Sequence, residues 1–334
     1  MPRSTTIRLT FALLLTGAAA LGVANIAPAQ ERGRAARTSA GPLAVKPVCF
    51  GAAARDPTHP CREPGDRLSV VPPPRKARDL PPAACATRES VGRVSVCSFG
   101  TPPAAAIDTI ALVGDSHAAQ WRAALEPVAQ AKRWRGLSMM HSGCPLSKAL
   151  RALSPPSRRR SCGAWKREVF AWFARHPEVH TIFVGGLSGG SGVVRERGRS
   201  EFDTAAAGYR AAWNALPPSV TQIVVLRDTP KMRGGVNGCV QRAIRAHTPA
   251  GARCAVSRSS ALDPDLIFAA ARATRSRRTG IVDLTRFFCD RARCYPVIGG
   301  VLAFKDSTHL TPVFAETLAP FLLRAVTKNL ASRR

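Results

Sequence analysis

The stretch IALVGDSHAAQW, Ile110 to Trp121, runs four apolar residues into Gly114 and then sets an acid, a hydroxyl and an imidazole side by side. Each has a structural reading, since strands often stop at glycine and Asp or Ser often caps the helix that follows. The chemical reading makes Ser116 a nucleophile, with Gly114, Asp115 and His117 as its immediate neighbours. At the carboxyl end of a strand and the start of a helix, backbone N–H groups are unpaired and the helix dipole favours negative charge. An oxyanion formed there is stabilised.

Outward from this stretch, short β-rich runs alternate with helical patterns. Strands are expected over 107–113, 136–140, 179–184, 222–227 and 280–284, and helices over 117–131, 162–175, 203–216, 263–274 and from 312 to about 330. Strict alternation predicts an α/β domain of three layers, α/β/α, with a central parallel sheet of about five strands covered on both faces. Thr311 before Pro312 marks the last helix, because Thr caps and Pro suits the first helical position. Ligands of such sheets lie at the carboxyl ends of the strands, where Ser116 stands.

Before that domain the composition differs. Residues 1–29 read as a secretory signal: Arg3 and Arg8 precede an apolar run from Leu9 to Ala24, and Ala27-Pro28-Ala29 offers a small-residue cleavage site. Uncut, the same segment is an N-terminal anchor. Residues 30–47 form a small, basic linker, and 48–105 a Cys/Pro-rich extension, disulfide-stapled and packed on the main domain at 106–334. A secreted or extracytoplasmic envelope protein is expected.

The ten cysteines are Cys49, Cys61, Cys85, Cys97, Cys144, Cys162, Cys239, Cys254, Cys289 and Cys294. An even count in an exported chain predicts disulfides, and the five neighbouring couples suggest pairing in sequence order. No C-x2-C pair occurs, so no metal site is expected. The net charge of +28 draws the chain to polyanions. With 6% aromatics and no nucleic-acid-reading motif, an anionic envelope polymer or lipid surface suits an exported protein better than nucleic acid. The runs Arg158-Arg159-Arg160 and Arg275-Ser276-Arg277-Arg278 read first as solvated loops or helix ends.

A serine needs a base, and seven histidines are on offer. His59 and His176 each precede a proline, and His247 lies in a basic loop. His117 adjoins Ser116, but the first turn of a helix aims the two side chains apart, which leaves it local hydrogen bonding. His309 stands in AFKDSTHLTP, three residues after Asp306 and directly before the capped helix. On a tight turn that spacing lets the carboxylate accept the imidazole Nδ1 proton and leaves Nε2 to face a serine. Gly186-Leu187-Ser188-Gly189-Gly190 also matches G-x-S-x-G after a strand, but no helix pattern starts at Ser188 as that motif requires.

Gly114-Asp115-Ser116-His117, taken with Asp306-Ser307-Thr308-His309-Leu310, resembles the SGNH/GDSL hydrolase superfamily. More closely, the chain resembles the extracytoplasmic SGNH domains fused to acyltransferase-3 membrane proteins, which O-acetylate surface glycans. CFGAAARD at Cys49, CSFG at Cys97, SGCP at Ser142 and DTP at Asp228 carry this closer likeness. The resemblance implies a flavodoxin-like SGNH fold without a cofactor, Ser116 as nucleophile, His309 as base and Asp306 as its orienting carboxylate. Oxyanion donors would be the Ser116 amide with Gly143, Gly185 and Gly186, because the loop after the third strand lacks the family's Asn. The ten-helix membrane module is not in this chain either. The expectation is therefore an esterase, or a transferase fed by a separate membrane acyl-donor protein, with carbohydrate or another acyl ester as substrate. The alternatives are an inactive SGNH scaffold that binds glycan and an electrostatic envelope-adhesion protein.

Overall fold

The structure, a computed structural model, describes residues 49–59, 61, 68–189, 192–274 and 276–332; the expected signal or anchor and the linker lie outside them. Seven strands make the main sheet: β1 Arg88–Val91, β2 Val94–Gly100, β3 Asp108–Gly114, β4 Trp134–Met140, β5 Val179–Gly185, β6 Gln222–Leu226 and β7 Thr279–Val282. Their order is β1-β2-β4-β3-β5-β6-β7. The five from β4 to β7 run parallel, while β2 pairs antiparallel with both β4 and β1. The parallel five match the expected sheet. The added hairpin comes from the Cys/Pro-rich segment, where a two-residue turn at Gly92-Arg93 joins the paired Val91 and Val94.

Period-two alternation in β3 builds both cores. Ile110 and Leu112 face one way and pack with helices α2 Arg122–Ala131, α5 Val236–Arg245, α7 Pro312–Thr317 and α8 Ala319–Ala331. Ala111 and Val113 face the other way, toward α3 Pro156–Arg175, α4 Glu201–Asn214 and α6 Leu266–Thr274. All four β3 side chains are fully buried, as a central parallel strand demands.

Two expected helices are each divided. The first splits into α1 Ser116–Ala119 and α2, and the last breaks between α7 and α8 beside Pro320, whose ring cannot continue the preceding turn. Helix α5 was not expected: its glycine-rich entry hides an amphipathic turn that buries Val236, Val240 and Ala243. The ten cysteines close five disulfides, each between neighbours: Cys49–Cys61, Cys85–Cys97, Cys144–Cys162, Cys239–Cys254 and Cys289–Cys294. Such bonds belong to an oxidising, extracytoplasmic compartment. Among the described residues no helix is long and apolar enough to cross a membrane.

Strand order fixes where a ligand can sit. β3 lies between β4 and β5, so the chain leaves β3 for one neighbour and crosses through α3 to the other. The strand order reverses there, opening a crevice at the carboxyl end of β3.

Lys166 of α3 is buried, and its ammonium donates to the Ala149 carbonyl at 2.9 Å. Burial, with Arg151 and Lys148 nearby, pulls its pKa from 10.5 down to about 8. At pH 7 the charged form therefore costs roughly 3 kcal/mol. Lys166→Met removes that cost and loses one hydrogen bond, for a net gain of about 1–2 kcal/mol at pH 7. A depressed lysine makes stability rise with pH between about 8 and 10.5. The gain should therefore shrink when urea denaturation is repeated at higher pH, and a gain independent of pH would show that Lys166 carries no such cost.

Candidate active site

Gly114 ends β3 where only glycine fits, because a Cβ there would strike the Gly185 carbonyl and the Ala118 side chain. Asp115 follows as the N-cap of α1. Its buried carboxylate accepts the His117 amide at 2.8 Å and the Leu187 amide at 3.1 Å, which ties the loops after β3 and β5 together. Burial raises the Asp115 pKa against the His117 charge and these two amides. Ser116, half-buried, occupies the first position of α1.

The partner of Ser116 arrives from the far end of the chain. In the turn before α7, Asp306 Oδ1 accepts the amides of Thr308 and His309, both at 2.8 Å, and Oδ2 lies 2.9 Å from His309 Nδ1. With Nδ1–H donated to Asp306, Nε2 is free to accept the Ser116 hydroxyl, and Ser116 Oγ lies 2.9 Å from it. Burial works to raise the Asp306 pKa. The His309 ring and the two amides outweigh it and hold the carboxyl far below the usual carboxylate range. Gln120 Oε1 accepts the Leu310 amide at 2.8 Å, the Met232 amide donates to the Ser307 carbonyl at 2.7 Å, and Asn237 Nδ2 donates to the Lys305 carbonyl at 2.6 Å. Thr311 caps α7 by accepting the Phe314 amide.

A cavity of about 240 Å3 opens here, lined by Ser116, His309 and Asp306 together with Gln120 and Lys305. Pro82 and Ala83 close one side, so the segment before the hairpin supplies part of the wall. Arg122 fixes that segment through the Ala83 carbonyl.

The amides of Ser116 and Gly143 take no acceptor among the described residues. Gly143 lies in the turn after β4, and His141 at the start of that turn donates its amide to the Gly114 carbonyl at 3.1 Å. Gly185 and Gly186 are small for packing reasons: a Cβ at 185 would press on Ala118, and one at 186 on Ile267 and Pro145. Ser188 starts no helix, and among the described residues it hydrogen-bonds no histidine. Its amide donates to Asp228 Oδ2 at 2.7 Å.

Asp228, which the sequence marks only as part of the DTP likeness, turns out to have a role in the site. Its Oδ1 lies 2.7 Å from Nδ1 of buried His117, and the two imidazoles, His117 and His309, stand 4.7 Å apart between ring centroids. His117 thus bonds across 111 positions, not locally as the helix geometry suggested. Two signals pointed to it: the DTP likeness and its position just beyond β6, at the ligand-binding end of the sheet. Behind it, Asp265 Oδ2 accepts the Asp228 amide at 2.8 Å, and burial pushes the Asp265 pKa up to about 6. Among the described residues no group of three or more His, Cys, Asp or Glu side chains is placed to hold a metal ion.

The arrangement is that of an activated hydroxyl: acceptor nitrogen on the oxygen and carboxylate behind the ring. The family model of the SGNH domain (fused to AT3 domains) matches residues 84–324. No curated protein matches the chain. Among solved structures, the lipopolysaccharide acetyltransferase periplasmic domain of Salmonella ser. Paratyphi A is similar at 13% identity and a TM-score of 0.49, over 67% of this chain and 83% of that one. An alpha/beta hydrolase from Novosphingobium aromaticivorans is similar at 12% identity and a TM-score of 0.28, over 74% of this chain and 98% of that one.

Burial works to lower the His117 pKa, but the hydrogen bond and charge of Asp228, with Asp115 and Asp306, raise it above the ordinary 6.5. A raised imidazole adds stability that is fully present below 6.5 and is lost as the pH climbs through the folded value. Urea denaturation should therefore show a wild-type advantage over His117→Gln that is largest below pH 6.5 and declines above it. A difference that stays constant across that window would mean His117 is not held charged.

Proposed function

We propose that this chain, which belongs to the family of SGNH domains (fused to AT3 domains), is an exported serine acyl-transfer enzyme acting on O-acyl groups of envelope carbohydrate. The observation that carries the reading is the pair of 2.9 Å contacts on opposite sides of one ring, Ser116 Oγ to Nε2 and Asp306 Oδ2 to Nδ1 of His309. In the reaction the Ser116 oxygen attacks the acyl carbonyl while its proton passes to His309 Nε2. The resulting imidazolium is stabilised by Asp306, whose depressed pKa keeps it ionised. The carbonyl oxygen, now negative, is met by the Ser116 amide at the N-terminus of α1 and by the Gly143 amide of the turn after β4, neither of which has an acceptor among the described residues.

Collapse expels the sugar alkoxide, which takes the proton from His309 and leaves an acyl-enzyme. A water or an acceptor hydroxyl then gives its proton to the same nitrogen and attacks, and Ser116 is released. The family's Asn donor has no counterpart in the Gly185-Gly186 loop. One missing donor costs about 10²–10³ in rate, so turnover on simple esters should be modest.

A chromogenic acetyl ester tests this, assayed with and without a polysaccharide acceptor. Ser116→Ala and His309→Ala should each lower hydrolysis by about 10³-fold or more, and Ser116→Ala should abolish labelling by a fluorophosphonate probe. Hydrolysis that survives in Ser116→Ala, or a wild type that neither hydrolyses nor labels, would replace the enzyme reading with that of a binding scaffold.

A further inference from the structure

Helix α3 begins against electrostatic preference. The positive end of a helix dipole disfavours cations, yet the first turns of α3 hold Arg158, Arg159 and Arg160 with no acid among them. Placements that break a local rule without internal compensation mark functional surfaces.

Two of these arginines, Arg159 and Arg160, help to form a second cavity. A cleft of about 610 Å3 runs along this end of α3, lined by Arg159, Arg160 and Arg167, by Arg93 from the β1–β2 turn, and by the hydroxyls of Ser157 and Ser161. Gly163 and Ala164 form part of its wall, and their small side chains leave room between the guanidinium groups. The nearby acid Glu168 is engaged by Arg93, which donates its amide and places its guanidinium 3.7 Å away. Arg159, Arg160 and Arg167 have no carboxylate partner among the described residues.

The cleft adjoins the turn that carries Gly143. Ser161 Oγ lies 3.2 Å from His141 Nε2, and the Arg158 guanidinium lies 3.8 Å from where a side chain at Gly143 would begin. A chain lying among the arginines therefore borders the turn that carries Gly143.

We propose that this cleft binds an anionic polysaccharide, holding its carboxylate or phosphate groups on Arg159, Arg160 and Arg167 while its hydroxyls meet Ser157 and Ser161. The identity of the bound chain as the enzyme's substrate rests on the acyl-transfer reading above. Guanidinium forks suit both kinds of anion through paired hydrogen bonds. No aromatic side chain lines the cleft to stack a base, which disfavours single-stranded nucleic acid. Leu150 is its one large apolar residue, too little for a lipid surface.

The test is equilibrium binding of the full chain to polygalacturonate and to poly(glycerol phosphate), with dextran as the uncharged arm. Preference between the first two names the anion. Arg159→Gln/Arg160→Gln/Arg167→Gln should weaken binding about tenfold or more. Arg75→Gln/Arg78→Gln/Arg291→Gln removes the same charge from exposed sites outside the cleft and should weaken it less than about threefold. If the first triple does not fold, Arg167→Gln alone should still lose about threefold. Equal loss in both triples, no loss in the cleft triple, equal binding of dextran, or tighter binding of a single-stranded oligonucleotide would each overturn the proposal. Because the readout needs no turnover, intact cleft binding by a chain inactive on acetyl ester would sink the enzyme reading alone. Lost binding beside intact esterase activity would sink this one alone.

Discussion

The working geometry depends on the docking of one turn, Asp306 to His309, onto the first turn of α1. The hydroxyl and the imidazole that meet there are 193 positions apart, so no local preference brings them together. What does is a set of polar clamps: the Leu310 amide on Gln120, the Ser307 carbonyl on the Met232 amide, the Lys305 carbonyl on Asn237. Each is worth only about 1 kcal/mol net. The turn is also internally closed, because a single carboxylate accepts two of its own amides and the ring it orients. It can therefore dock as a preformed unit, and helix α7 behind it is sealed by buried Phe314 and Ala315.

Beneath that contact lies a polar network whose members are costly to bury alone. Asp115, Asp228 and Asp265 sit at strand or helix ends, and each accepts backbone amides: His117 and Leu187 on the first, Ser188 and Thr229 on the second, Asp228 and Phe268 on the third. Buried polar groups satisfied this way stiffen a structure, whereas half-satisfied ones weaken it. The network also explains where the site's hydrogen-bond donors are. The amides of Leu187 and Ser188 are already committed to Asp115 and Asp228, so the loop after β5 gives those two donors to architecture. Among the described residues, the Ser116 and Gly143 amides have no acceptor.

This division accounts for what could be read in the sequence. The parallel core was legible because the apolar runs of β3, β5 and β6 have no other stable use. The turn at Asp306 was legible because its hydrogen bonds span only three positions. Pairing of His117 with Asp228 was not, since a bond between side chains on different loops leaves no periodic trace, and the helix-turn argument considered only near neighbours. The β1–β2 hairpin was hidden by the cysteines and prolines around it, although VGRV carries a short turn flanked by β-branched residues. For the same reason Pro82 and Ala83 were placed in an extension, when they also wall the cavity beside Ser116.

The charge balance follows from the same placement of acids. The chain has 21 acidic residues against 49 basic ones, and four of the acids, Asp115, Asp228, Asp265 and Asp306, are taken up in the hydrogen-bond network around the Ser116 site. Others are matched in pairs such as Arg227 with Asp283, Lys231 with Asp263 and Arg324 with Asp56. Apart from buried Arg122, which donates to the Ala83 carbonyl, unmatched arginines such as Arg75, Arg78 and Arg291 are left facing solvent. At physiological ionic strength their field decays over roughly 8 Å, so the total charge steers an approaching polymer only near the surface. Discrimination between polymers has to come from places where several guanidinium groups converge on one volume. A folded chain can be strongly basic everywhere and still recognise an anion at one cleft.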